Sequence, residues 1–299
     1  MNNIKVGSPR TLAILAVILL LGGAAYIYLG TSNDPAPSQP TERMLMIGNS
    51  FTYQNNLEKM AEELIETQSL GRRAVESERV AFGGYRLFDH VDDFDEDAPD
   101  SQLREFFVDG TSDVKDWDLV IFQEQVEIPG LPTFEMEKNR SLESALQLGQ
   151  LAHETGADVM VLETWGNAFD PEDPTNPYPE FPEMQTHLSV AAVDIVDTLI
   201  ENEIPAVIAP AGEAFLIVYN DVIASGGNPY DEDSWFLLLF SDDLEHSSVA
   251  GSYLAAAVIA ATQSQQPIAE TDWAPPGIEA NFAAYLRQVA DRAAFPSEQ

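Results

Sequence analysis

With 299 residues and 45% hydrophobic side chains the chain can build one large core or two modest ones, one domain behind an N-terminal appendage being expected, and its 50 acidic against 14 basic residues give a net charge of −36. A surface this negative repels phosphate backbones and anionic lipid, which excludes nucleic acid as a partner. The chain has no cysteine, which excludes disulfides, thiolate metal sites, a cysteine nucleophile and a lipidated N-terminal cysteine, and its four histidines are too few for a histidine-rich metal centre.

Lys5 and Arg10 are the only charges in residues 1–30, and Thr11 to Gly30 is a nearly continuous apolar stretch of 20 residues. That length matches the roughly 20 residues of a membrane-spanning helix, and the two bases place its N-terminal end in the cytoplasm. A cleaved signal peptide fits the same stretch, with Leu12 to Leu21 as its apolar core and Gly23-Ala24-Ala25 as a small-residue cleavage site. Tyr26 and Tyr28 sit where interfacial aromatics belong and favour a retained anchor. Either reading puts the remainder outside the cytoplasm, with the membrane touched through the N-terminal segment alone. Residues 31–42 hold three prolines and no apolar period, so they read as a semi-extended linker.

Residues 43–299 alternate strand-like and helix-like stretches, the pattern of a doubly wound α/β domain with a parallel sheet. Arg43-Met44-Leu45-Met46-Ile47 is a short apolar run without a breaker and leads through Gly48-Asn49-Ser50 into a helix. Leu57, Met60, Ala61, Leu64 and Ile65 recur there at helical spacing, and Asn55 with Glu58 has the form of a capping box. Further strands are expected at Ser77 to Phe82, Asp118 to Phe122, Asp158 to Leu162 and Ala206 to Ala209. Helices are expected from Ser141 to about Thr155, from about Pro182 to Glu203, after Pro210, from Ser247 or Ser248 through Ala261, and over about Gly277 to Ala293. The acidic run Val91 to Asp100 reads as a solvated loop and lacks the ordered ligand spacing of a calcium loop. Gly166 to Glu183, rich in proline and aromatics, is long enough either to border a site or to be a plain surface loop.

A hydroxyl at a strand–turn–helix junction is carried to the exposed carboxyl edge of a sheet, so Ser50 is the first candidate nucleophile. Near the other end, Asp243 and His246 stand three residues apart before a helix. One turn brings the carboxylate to one ring nitrogen and leaves the other nitrogen facing away, which prepares a general base. Weaker candidates are His90 at the same edge, Trp165 and Tyr85 as stacking walls or core filling, and Glu163 with Glu213 as paired carboxylates. His153 and His187 fall in helical stretches and read as solvent-facing.

Gly48-Asn49-Ser50-Phe51-Thr52, Gly83-Gly84 after the second strand, an amide-bearing turn after the third, and Asp243-x-x-His246 together resemble the ordered blocks of the SGNH, or GDSL-type, hydrolase superfamily. The resemblance spans Arg43 to about Ala261 and implies a three-layer α/β/α fold of flavodoxin-like kind that hydrolyses esters without a metal or organic cofactor. It further implies Ser50 as nucleophile, His246 as base and Asp243 as its orienter. Oxyanion donors would come from the Ser50 N–H, from Gly84 or Gly83, and from the amide of Gln123 or Gln125. Two positions depart from the commoner pattern: Asn49 replaces an aspartate, and Gln123-Glu124-Gln125 stands where Gly-x-Asn-Asp is usual. On a strand the two glutamines would face the same way. The substrates implied are short acyl esters, O-acetyl groups of carbohydrates among them. Two other classes fit parts of the pattern: a non-catalytic surface glycan-binding module, and a phosphate or nucleotide binder cradling its anion at Gly48 to Thr52. No Lys or Arg lies between Met44 and Glu58 to support the latter.

Overall fold

In the computed structural model, which describes residues 41–95, 101–108, 116–131, 133–172 and 178–296, the first apolar run forms strand β1, Thr41–Gly48. Met44 to Gly48 are buried without alternation, as a strand covered on both faces requires. The strand starts inside the expected linker: Thr41 and Glu42 pair in parallel register with Ala74 and Val75 of β2, Ala74–Ala81. Arg73 Nη1 at 3.0 Å and Gln263 Nε2 at 2.6 Å hold the Glu42 carboxylate there, and hydropathy carries no trace of such contacts. The anchor or signal segment and linker residues 31–40 lie outside the described residues. Among the described residues no helix is long and apolar enough to cross a membrane.

After β1 come a short helix α1 (Ser50–Tyr53), a 3-10 turn (Gln54–Asn56) and α2 (Leu57–Gln68). β2 is followed by α3 (Leu87–Asp95) and α4 (Gln102–Phe107), and β3 (Leu119–Phe122) by α5 (Glu127–Gly130) and α6 (Glu135–Glu154). β4 (Asp158–Glu163) leads to α7 (Phe181–Glu201), and β5 (Ala206–Pro210) to α8 (Ala211–Ala224), α9 (Val249–Ser264) and α10 (Ala280–Ala294). Every strand pairing is parallel, in the order β2-β1-β3-β4-β5. The order reverses at β1, whose carboxyl end is therefore the crevice where open α/β sheets place their ligands.

Side-chain alternation builds the two outer layers. Met44 and Met46 of β1, Leu119 and Ile121 of β3, and Met160 and Leu162 of β4 join one core with α2, α8, α9 and α10. Their neighbours Leu45, Ile47, Val120, Phe122, Val159 and Val161 face the other core with α3, α4, α6 and much of α7. α9 is buried from Ala250 to Thr262, and its run of alanines lets α2, α8 and α10 approach it closely.

Several boundaries differ from expectation. The acidic run continues α3 as far as Asp95, because Leu87, Phe88, His90 and Val91 give it a buried face; residues 96–100 lie outside the description. α6 begins at Glu135 rather than at a Ser141 cap, and Ser141 sits inside it, donating its hydroxyl to buried Glu124. Of the proline-rich stretch, residues 166–172 and 178–183 are described, and α7 begins within it at Phe181.

Candidate active site

The turn after β1 tolerates nothing larger than glycine at position 48: a Cβ there would lie 2.4 Å from Thr52 Oγ1 and 2.5 Å from Gln123 Oε1. Asn49 is buried and uses every polar group it has. Its Oδ1 accepts from Phe51 N at 3.0 Å, capping α1, and its Nδ2 donates to Tyr85 O at 2.9 Å. Its backbone N–H donates to Gln123 Oε1 at 3.0 Å, which also accepts from Thr52 Oγ1 at 3.1 Å. Ser50 is thereby held at the carboxyl edge, partly exposed. The N–H groups on either side of it are engaged by Gln123 and Asn49, while its own N–H occupies the first helical position, where no intrahelical acceptor exists.

His246 reaches this turn from a loop between Phe240 and Val249. His246 Nε2 lies 2.8 Å from Ser50 Oγ, and Nδ1 lies 2.7 Å from Asp243 Oδ2. An ionised carboxylate can only accept, so Nδ1 carries the proton and Nε2 is left to accept from the serine hydroxyl. Asp243 Oδ1 meanwhile accepts from the N–H groups of Glu245 (3.0 Å) and His246 (2.9 Å) and from Ser241 Oγ (2.9 Å). Partial burial acts to raise the Asp243 pKa, but the backbone and ring of His246, the Glu245 N–H and the Ser241 hydroxyl outweigh it and hold the carboxyl well below the usual range. The loop is tied down by Ala168 N donating to Leu244 O at 2.8 Å and Trp165 Nε1 donating to Glu245 O at 3.2 Å. Phe51 packs between the Trp165 and His246 rings, 5.1 and 5.4 Å away.

Gly83 and Gly84 form an exposed turn closed by Tyr85 N donating to Phe82 O at 3.1 Å, with Gly84 at φ 72, a conformation that favours glycine. Three bonds set this turn beside Ser50: Phe82 N to Gly48 O (3.3 Å), His90 Nε2 to Gly48 O (2.8 Å) and the Asn49 amide to Tyr85 O.

The glutamines do not share a face, because β3 ends at Phe122 and the two-residue period ends with it. Gln123 is buried behind the nucleophile turn, its oxygen on Asn49 and Thr52 and its Nε2 on Glu124 O at 2.5 Å, so it braces Ser50 instead of facing a substrate. Gln125 is half-buried and folds onto α5, accepting from Glu127 N at 2.7 Å and donating to Glu127 Oε2 at a long 3.3 Å. Between them Glu124, which sequence reasoning passed over, accepts from Leu87 N at 3.2 Å, Gln125 N at 2.6 Å and the Ser141 hydroxyl. Burial pushes its pKa up to about 7.

No protein-family model and no curated protein matches the sequence. Among solved structures, a protein described as a candidate SGNH hydrolase from Slackia heliotrinireducens is similar at a TM-score of 0.53 and 23% identity, over 75% of this chain and 99% of its own. A DUF4886 family protein from Bacteroides uniformis is similar at a TM-score of 0.62 and 18% identity, over 86% of this chain and 96% of its own. The chain has the SGNH-hydrolase fold.

Within that SGNH fold the remaining candidates have structural surroundings. Trp165 is fully buried and stacked on Phe215 at 4.6 Å, so it fills the core rather than presenting a face to a ligand. Tyr85 packs against Phe82 and His90, and His90 is buried with its ring on Gly48 O. His153 is exposed as expected, whereas His187 is half-buried with Nδ1 at 3.2 Å from Gly130 O. Glu163 and Glu213 do meet, sharing the Ser189 hydroxyl at 2.9 and 3.0 Å, but Glu163 is 4% exposed and also bonded by Gln185, which leaves a substrate no access. Burial first, and then the Glu213 charge, push the Glu163 pKa up to about 7. Among the described residues no group of histidines and carboxylates is arranged to hold a metal ion.

Proposed function

We propose that this SGNH-fold protein is an exported serine ester hydrolase, tethered or released through its N-terminal segment, that removes short acyl groups by way of an acyl-serine. The reading is carried by one observation: the unbroken line from Ser50 Oγ through the His246 ring to Asp243, at 2.8 and 2.7 Å. Ser50 Oγ attacks the ester carbonyl carbon as its proton passes to His246 Nε2, and the imidazolium so formed lies against the Asp243 carboxylate, which stabilises it. Negative charge growing on the carbonyl oxygen is met by the Ser50 N–H and the N–H of Gly84 or Gly83, and the Gln125 amide would have to leave its long bond to Glu127 to join them. His246 returns the proton to the departing alkoxide, leaving acyl-Ser50. A water then gives its proton to the same nitrogen while its oxygen attacks the acyl carbon, and collapse restores Ser50 and releases the acid.

O-acetylated carbohydrate is the first substrate class to test, beside p-nitrophenyl acetate. Ser50→Ala is expected to bring hydrolysis of p-nitrophenyl acetate to background with the melting temperature little changed; an unchanged rate overturns the proposal. A wild-type protein that binds glycan without releasing acetate would instead favour a binding module on the same fold.

A further inference from the structure

We propose that Asn55 is a positioning residue that locks the Ser50 segment onto the loop carrying His246; this rests on the reading of Ser50 and His246 as the reacting pair. Sequence spacing gives Asn55 a capping role with Glu58. The structure gives it another. The residue preceding α2 is Asn56, which makes no side-chain cap bond, and Glu58 is paired with Arg79 at 2.5 Å. Asn55 sits in the 3-10 turn at φ 55, and its Nδ2 leaves the helix altogether, donating to Ser247 O at 3.0 Å and to Ser252 Oγ at 2.9 Å.

Those acceptors lie directly behind the base. Ser252 and Ser247 are buried, with their hydroxyls 2.7 Å apart. The His246 carbonyl is held from within its own loop by Ser241 N at 2.8 Å and Ser241 Oγ at 3.0 Å, and the next carbonyl along is held by Asn55. Apart from the Ser50–His246 bond itself, these are the only polar bonds among the described residues that join segment 49–56 to segment 241–252. The two segments are almost two hundred positions apart in the chain, so nothing covalent nearby sets the distance between the hydroxyl and the ring.

The residue type follows from two demands. A left-handed backbone is adopted readily by Gly, Asn and Asp, and of these Asn alone supplies an amide N–H2 with two hydrogens for two acceptors. Misplacement of reacting groups by about 1 Å costs on the order of 100-fold in rate, so a clamp that fixes this distance acts on turnover rather than on substrate affinity.

The test compares Asn55→Gly and Asn55→Asp in the full chain. Both keep the left-handed backbone and both lose the N–H2. For each, kcat falls about 10- to 100-fold for p-nitrophenyl acetate, KM stays within about twofold, and Ser50 labelling by a fluorophosphonate slows in parallel. Ser252→Ala removes one acceptor of the two, gives a smaller loss, and adds little to Asn55→Gly in the double variant. A merely structural Asn55 would lower the melting temperature and leave kcat per folded molecule intact; that result, or a loss shared with KM, overturns the proposal. Should neither Asn55 variant fold, an unchanged kcat in folded Ser252→Ala overturns it and a reduced kcat at constant KM supports it. A wild-type protein that neither turns over esters nor reacts with the fluorophosphonate sinks the hydrolase reading itself, which is a different failure.

Discussion

On the His246 side of Ser50, each side chain is already bonded to the next and Asp243 is held by three further donors, whereas on the oxyanion side the two amide side chains expected to face a substrate are turned toward the protein. One half of the site is assembled at rest. The other relies on the backbone N–H groups of Ser50 and of the Gly83-Gly84 turn, which the bonds at Gly48 and Asn49 hold in place. Gln123 therefore serves between β3 and the nucleophile as a brace for the turn, a task that needs an acceptor long enough to reach Asn49 N and Thr52 Oγ1 together.

Removal of the assembled half has the largest consequence. His246→Ala is expected to lower kcat/KM by at least about 10⁴-fold, about as much as loss of Ser50, because the two act as a unit. Asp243→Asn leaves the ring without its carboxylate and is expected to cost about 100- to 10,000-fold at little cost in melting temperature; a loss below tenfold would show that the relay ends at the imidazole. Since Asp243 is held ionised well below the usual carboxylate range, a pH–rate profile should show no limb from it across the mildly acidic region.

Gln123→Ala tests the bracing half. It leaves Asn49 N–H and the Thr52 hydroxyl unpaired in a buried site and opens a cavity, so about 2–4 kcal/mol of stability should be lost, read by denaturant unfolding, together with activity. Gln125→Ala should leave stability unchanged and lower kcat by less than about tenfold; equal effects from both glutamines would erase the distinction drawn between them. The smallest effect is expected from Glu124→Gln. A carboxyl whose folded pKa is raised from 4.5 to about 7 is bound to its proton more tightly in the folded chain, so its ionisation costs stability as pH climbs through that window, and the cost is complete above it. The amide can keep the Leu87 and Gln125 N–H groups on its oxygen and donate to Ser141. The variant should therefore flatten the fall in melting temperature between about pH 5 and pH 8 and leave turnover unchanged, and an identical pH slope in both proteins would contradict it.

The strands were legible because a parallel sheet covered on both faces needs unbroken apolar runs, and β3, β4 and β5 lie within a residue of where those runs stand. The ends of β1 and β2 were not, since Thr41, Glu42 and Ala74 pair through backbone and side-chain bonds that hydropathy does not register. At the site, Asp243 and His246 could be paired on paper because one turn of chain joins them, and Ser50 stood out at the end of a strand. The glutamines could not be assigned, because the strand stops before them and their partners, Asn49, Thr52 and Glu127, are set by packing. Asn55 escaped for the same reason: a local capping pattern was present, and its real acceptors lie near the far end of the chain.

Whether Ser50 is a nucleophile activated by His246 is decided by treating the wild-type protein, Ser50→Ala and His246→Ala with a fluorophosphonate and locating the adduct by peptide mass spectrometry. One adduct per wild-type chain is expected, on the peptide containing Ser50, with none on Ser50→Ala and strongly slowed labelling on His246→Ala. An unlabelled wild-type protein, or an adduct on any other serine, would contradict that assignment.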